Sequence, residues 1–174
     1  LRSGNVKAVR KAFKPAGANS KKLIALACST GGPKALNCLI PMLPKRLNAP
    51  MVIVQHMPEG FTNSLAQRLD ELSPIHVKEA EDGEMLQKSV VYIAKGGSQL
   101  RVKQSGKNNL LQVTVEEARN GLKPCADIMY ESLLECDFDE IICVVLTGMG
   151  ADGTLGISQL NDKKNIYVIS QTKE

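Results

Sequence analysis

Three short segments hold most of the residues able to do chemistry in this 174-residue chain. In the first, Ala27-Cys28-Ser29-Thr30-Gly31-Gly32-Pro33, a serine directly follows an apolar run and precedes two glycines. A serine in a tight strand-to-helix turn is lifted out of the backbone, and the next N–H is free to face a developing oxyanion. The same Ser-Thr-Gly-Gly is also an ordinary helix-capping turn. The second segment carries His56, one of only two histidines. A neutral imidazole beside Ser29 would accept the serine proton and return it to a leaving group. The other histidine, in Ile75-His76-Val77-Lys78, reads as an exposed structural residue. The third segment, Leu146-Thr147-Gly148-Met149-Gly150-Ala151-Asp152-Gly153, offers Asp152. Its two readings are an N-cap for a helix starting near Gly153 and a carboxylate that fixes the His56 tautomer.

Gly148 to Gly153 also spells G-x-G-x-x-G after a strand, the pattern of a dinucleotide site. Asp152 opposes that reading, because a carboxylate at the helix start repels a pyrophosphate. Only about 20 residues follow, too few for a complete βαβ unit. Ser29-Thr30-Gly31-Gly32 lacks the Gly-Lys-Ser/Thr ending of a Walker phosphate loop. The five cysteines include no C-x-x-C pair, so they read as buried free thiols and no metal site is expected.

Positioning these residues falls to alternating apolar runs. Leu23 to Cys28, Met51 to Gln55 and Glu140 to Leu146 read as buried strands. Helices are expected after Pro33, from Phe61 with Leu65, Leu69 and Leu72 on one face, from Pro124 to about Cys136, and after Gly153. Ile166 to Ser170 is a last strand. Val90 to Ala94, Gln99 to Lys103 and Leu110 to Val115 are separated by turn residues and read as antiparallel hairpins. The predicted fold is α/β: a mostly parallel, doubly wound, Rossmann-like sheet with an antiparallel hairpin insertion. Ligand sites in such sheets lie at the carboxyl ends of the strands, where Ser29, His56 and Asp152 would converge.

A hydrophobic content of 43% is enough for a full core without disulfides or metals. No apolar run approaches the roughly 18 residues that span a bilayer, so no membrane insertion is expected and the expected location is cytoplasmic. Seven basic residues from Arg2 to Lys22 precede the first acid, Glu59. They leave 15 of the 22 basic residues to face 18 acidic ones, so the body is mildly acidic. Residues 1–21 read as a basic, solvated linker, and residues 22–174 as the folded domain. An aromatic content of 3% offers few rings for bases to stack on, and no nucleic-acid partner is expected.

Taken together, the Ser29 turn, Gln55-His56-Met57-Pro58-Glu59-Gly60-Phe61-Thr62 and Leu146 to Gly153 resemble the three signature segments of the catalytic domain of chemotaxis protein-glutamate methylesterases (CheB). The resemblance covers about residues 22 to 174. It implies that Ser29 is the nucleophile, His56 the general base, Asp152 its orienting acid, and the backbone N–H groups of Thr30 and Met149 the oxyanion donors. It implies hydrolysis of γ-glutamyl methyl esters on the cytoplasmic helices of methyl-accepting chemoreceptors, deamidation of receptor glutamines as in many members, and no cofactor. The implied partners are those receptors, an N-terminal receiver domain and its histidine kinase. Without the receiver, the fragment is expected to be free of inhibition by it.

Two departures from the family stand out. Gly97-Ser98-Gln99 replaces the usual Gly-x-His, and the chain ends Gln171-Thr172-Lys173-Glu174 where Gln-Asp-Glu and a final helical segment are usual. The C-terminal end is therefore expected to be incomplete. The same triad would also serve a serine esterase or amidase acting on a small molecule, and a degenerate site would leave a non-enzymatic docking module.

Overall fold

The computed structural model describes residues 17, 19–148 and 150–171. The expected linker therefore lies almost wholly outside the described residues, and so does Met149. The elements run β1 (Lys22–Cys28), α1 (Gly32–Leu39), β2 (Met51–Gln55), α2 (Phe61–Leu72), β3 (His76–Glu79), β4 (Val90–Ile93), β5 (Gln99–Ser105), β6 (Asn108–Thr114), α3 (Ala126–Ser132), β7 (Glu140–Val145), α4 (Thr154–Lys163) and β8 (Ile166–Ser170). Short 3-10 turns at Ile40–Met42 and Leu133–Glu135 extend α1 and α3.

Six strands form one parallel sheet in the order β3-β4-β2-β1-β7-β8, and β5 pairs with β6 in a separate antiparallel hairpin. The doubly wound α/β fold expected from the apolar runs is the one observed. The chain winds from β1 through β2 toward β3, then returns to lay β7 on the other side of β1. That reversal makes the carboxyl edge of β1 and β7 the topological switch point, where open α/β sheets bind their ligands.

Continuous burial explains the central strands. Every residue of β2 is buried, and in β1 only Lys22 and Ile24 are partly exposed. Strands covered on both faces lose the polar–apolar alternation of half-exposed ones. One face carries Leu26, Leu36, Ile40, Ile53, Leu65 and Leu69, which pack α1 and α2 onto the sheet. The other carries Val52, Val54, Tyr92, Met129, Tyr130 and Leu160, covered by α3, α4 and the hairpin.

Four local expectations change. Val90 to Ile93 is not part of a hairpin but a parallel strand between β2 and β3, because Val91, Tyr92 and Ile93 are buried on both faces. His76–Glu79 is an additional edge strand, hidden in the sequence by its charged residues; Asp70 accepts from the Val77 N–H and from His76. The buried face of α2 is Thr62, Leu65, Ala66 and Leu69, while Phe61 and Leu72 at its ends are exposed. Pro124 does not open α3: Cys125 stays extended (φ −116°, ψ 130°) and the helix begins at Ala126.

Helices α3 and α4 pack through a glycine. A Cβ on Gly156 would lie 2.6 Å from the Tyr130 Cβ and 3.0 Å from the Asp127 carbonyl oxygen. Alanine is worth about 1 kcal/mol over glycine inside a helix, but overpacking against fixed atoms costs up to about 3 kcal/mol. The clash wins. Gly156→Ala is expected to lower stability by about 2 kcal/mol in urea unfolding; an unchanged or raised midpoint would refute this packing.

Candidate active site

The Ser29 turn begins where β1 runs out of partners. The Ser29 N–H still donates to the Thr147 carbonyl (2.9 Å), which docks the turn on the loop after β7, and the Gly32 N–H closes it onto the Ser29 carbonyl (2.8 Å). Pro33 sits in the first turn of α1, as expected. No acceptor among the described residues takes the Thr30 N–H. An oxyanion donor needs an N–H without an acceptor in the protein.

Gln55 ties this turn to the next strand. Its side chain is almost wholly buried, and its amide nitrogen donates to the carbonyls of both Ser29 and His56, each at 3.1 Å. Its oxygen accepts from the Cys28 thiol at 3.0 Å. A Cβ on Gly32 would sit 1.8 Å from that oxygen, so only glycine leaves room for the amide. Burial pushes the Cys28 thiol up to about 12, which keeps it protonated and donating.

His56 follows β2, its N–H bonded to the Cys28 carbonyl (3.2 Å). Its Nε2 meets Oδ2 of Asp152 at 2.7 Å, a pair that is mostly buried. With Nε2–H donated to the carboxylate, Nδ1 is the basic nitrogen of the neutral ring. Ser29, His56 and Asp152 line one cleft of about 100 Å³ together with Thr147, Gly148 and Gly150. Among the described residues, no hydrogen bond joins the Ser29 hydroxyl to His56. Catalytic contacts are often long in ligand-free sites and tighten on the substrate.

Asp152 does not cap the helix that follows it. The N-cap of α4 is Gly153, with no side-chain bond. The Asp152 carboxylate instead accepts from the first N–H groups of α3, Ala126 (2.6 Å) and Asp127 (2.9 Å). Asp127 returns the arrangement by accepting from the Gly156 N–H of α4 (2.8 Å), so each helix start is capped by the acid of the other. Burial opposes the charge on Asp152, but the bonds from His56, the two helix N–H groups and the Cys125 thiol outweigh it. Together they hold the carboxyl well below the usual carboxylate range.

The wider hollow between the hairpin and α3, about 490 Å³, lies apart from this cleft. Its arginines are already paired, Arg101 with Glu116 and Arg119 with Glu131. Among the described residues, no group of three or more His, Cys, Asp or Glu side chains could hold a metal ion, and no helix is long and apolar enough to cross a membrane. At the first departure, Gln99 is structural: its side chain bonds the Cys125 N–H (2.8 Å) and the Leu122 carbonyl (3.0 Å). At the second, the Gln171 side chain accepts from the Thr147 N–H (2.9 Å) and so braces the loop after β7.

Gln55, Asp127 and Cys125 are site-building residues that the motifs did not single out. A polar side chain ending a fully buried strand was a signal for Gln55, since buried amides require partners. Nothing local to Cys125 or Asp127 pointed to Asp152, some 25 residues away.

A parallel α/β sheet with a serine, a histidine and a carboxylate gathered at its switch point is the class that fold and site define. A model of the CheB methylesterase family matches residues 24–174, and the chain belongs to that family. It is 47% identical over 154 residues to the protein-glutamate methylesterase/protein-glutamine glutaminase of Halalkalibacterium halodurans, covering 88% of this chain and 44% of that protein. The protein of the same name from Bacillus subtilis is 42% identical over 161 residues, covering 92% of this chain and 45% of that one. The chain thus spans about half the length of the curated relatives it matches. The crystal structure of the Thermotoga maritima CheB methylesterase catalytic domain superposes with a TM-score of 0.84 at 42% identity, covering 89% of this chain and 82% of that one.

The depressed Asp152 carboxyl has a consequence for stability. It stabilises the fold fully above the unfolded-state value, about 3.9, and this contribution is lost as pH falls toward the lower folded-state value. The stability gap between wild type and Asp152→Asn is therefore expected to be constant above about pH 5 and to shrink on acidification. A gap that stays constant down to acid unfolding would contradict the geometry at this carboxylate.

Proposed function

We propose that this chain is the catalytic part of a chemotaxis protein-glutamate methylesterase that works as a serine hydrolase, with Ser29 as nucleophile, His56 as general base and Asp152 as its orienting acid. The observation that carries the reading is the 2.7 Å His56–Asp152 bond in the cleft that Ser29 also lines. In this mechanism the Ser29 hydroxyl attacks the carbonyl carbon of a γ-glutamyl methyl ester while Nδ1 of His56 takes its proton. Asp152 balances the imidazolium and keeps Nε2 protonated. The Thr30 N–H and, by family resemblance, that of Met149 hold the oxyanion. The carbon–methoxy bond breaks as the imidazolium protonates the leaving oxygen, and methanol departs. His56 then deprotonates a water that attacks the acyl-serine, releasing the glutamate carboxylate and restoring Ser29. A glutamine side chain would follow the same course with ammonia leaving.

The size of the cleft supports a protein substrate over a free small molecule. Pockets for small ligands typically enclose about 300–1,000 Å³, whereas this one offers about 100 Å³, enough for one side-chain ester presented from a larger surface. We take that surface to be the cytoplasmic helices of chemoreceptors, and the partners of the whole protein to include a receiver domain and its kinase, with action in the cytoplasm. Methanol release from methylated receptor fragments is expected to exceed release from small methyl esters. Ser29→Ala is expected to reduce it by several orders of magnitude while the thermal midpoint stays near wild type. Small esters reacting while receptor ester does not would sink the substrate, and an active Ser29→Ala would sink the mechanism.

A further inference from the structure

Asp152 has two carboxylate oxygens, and each receives two donors. Oδ2 accepts from His56 Nε2 (2.7 Å) and the Ala126 N–H (2.6 Å). Oδ1 accepts from the Asp127 N–H (2.9 Å) and from the thiol of Cys125 (3.1 Å). Three of these four donors come from the start of α3, and Cys125 supplies the only one of those three that is a side chain. The two N–H groups are fixed by the helix whatever the sequence. The thiol is a choice of residue.

Cys125 differs from the other buried cysteines in its partner. Cys28 donates to the Gln55 amide and Cys136 to backbone carbonyls, as small hydrophobes with a weak donor do. Cys125 is 1% exposed, and its N–H is anchored by the Gln99 side chain. Burial pushes its thiol up to about 11, so at neutral pH it stays S–H and can only donate to the carboxylate.

We propose that Cys125 is a positioning residue. With the two helix N–H groups, its thiol helps to hold the plane of the Asp152 carboxylate from the Oδ1 side, so that Oδ2 is presented to His56. Without the thiol the carboxylate keeps one helix N–H on each oxygen, but Oδ1 loses its second donor and the hold on the carboxylate plane slackens. The orientation of His56 then relaxes with it. Small misplacements of a general base lower the rate of the chemical step more than they weaken substrate binding.

This inference rests on His56 and Asp152 acting as the base and its orienting acid, and the test separates the two. Methylesterase kinetics would be measured for the wild type, Cys125→Ala, Cys125→Ser, Ser29→Ala and Asp152→Asn, with Cys125→Val as a donor-free variant that fills the space if alanine does not fold. One lost hydrogen bond corresponds to roughly a three- to tenfold effect. Cys125→Ala and Cys125→Val are therefore expected to lower kcat about three- to tenfold with KM unchanged, and Cys125→Ser to restore it. In the Asp152→Asn background, which removes the carboxylate, adding Cys125→Ala should change the residual rate by less than about twofold. The proposal is overturned if serine fails to rescue, if KM rises while kcat holds, or if the alanine effect persists at full size without the carboxylate. An active Ser29→Ala would instead bring down the serine-hydrolase reading, whatever Cys125 does.

Discussion

A carboxylate taken out of water needs donors on both oxygens, and much of the carboxyl edge of this sheet is arranged to supply them to Asp152. The bonds reach it from the end of β2 through His56, from the start of α3 through two N–H groups and from Cys125. Asp152 itself sits between β7 and α4. One side chain thus joins three separate parts of the chain at the switch point. Unpaired, such a group would cost several kcal/mol; paired as it is, its charge becomes a fixed feature that can hold an imidazole in one orientation.

The nucleophile's side of the cleft is organised by a neutral group. Gln55 gathers the carbonyls of Ser29 and His56 and the thiol of Cys28 around one buried amide. The glycine at position 32 follows from that amide's need for space. The Ser29 turn and the His56 strand end are therefore tied through one side chain. The asymmetry suits the proposed chemistry: charge is concentrated behind the histidine, and among the described residues nothing accepts from the Thr30 N–H.

Much of this was legible in the sequence because the strands are buried on both faces. Runs such as Met51 to Val54, short, continuously apolar and rich in β-branched residues, read as covered strands, and the order of strands and helices then constrains where their ends meet. Ser29, His56 and Asp152 could be singled out because each lies in the turn or loop that follows such a run. What was hidden had long-range causes. Val90 to Ile93 looks like a hairpin strand because its burial depends on β2 and β3 lying on either side. His76–Glu79 carries charges that local patterning assigns to a loop, yet Asp70 and the pairing with β4 make it an edge strand. The cap of its own helix was one of two readings open for Asp152, and the exchange of caps between α3 and α4 is visible only once the helices are side by side.

In the proposed mechanism Ser29 becomes a nucleophile through His56. Treating the protein with a serine-directed fluorophosphonate and mapping the adduct by peptide mass spectrometry tests this most directly. One phosphonyl group per chain is expected, on the peptide bearing Ser29, with loss of labelling in His56→Ala. Labelling at another residue, or labelling of Ser29 at an undiminished rate without His56, would contradict it.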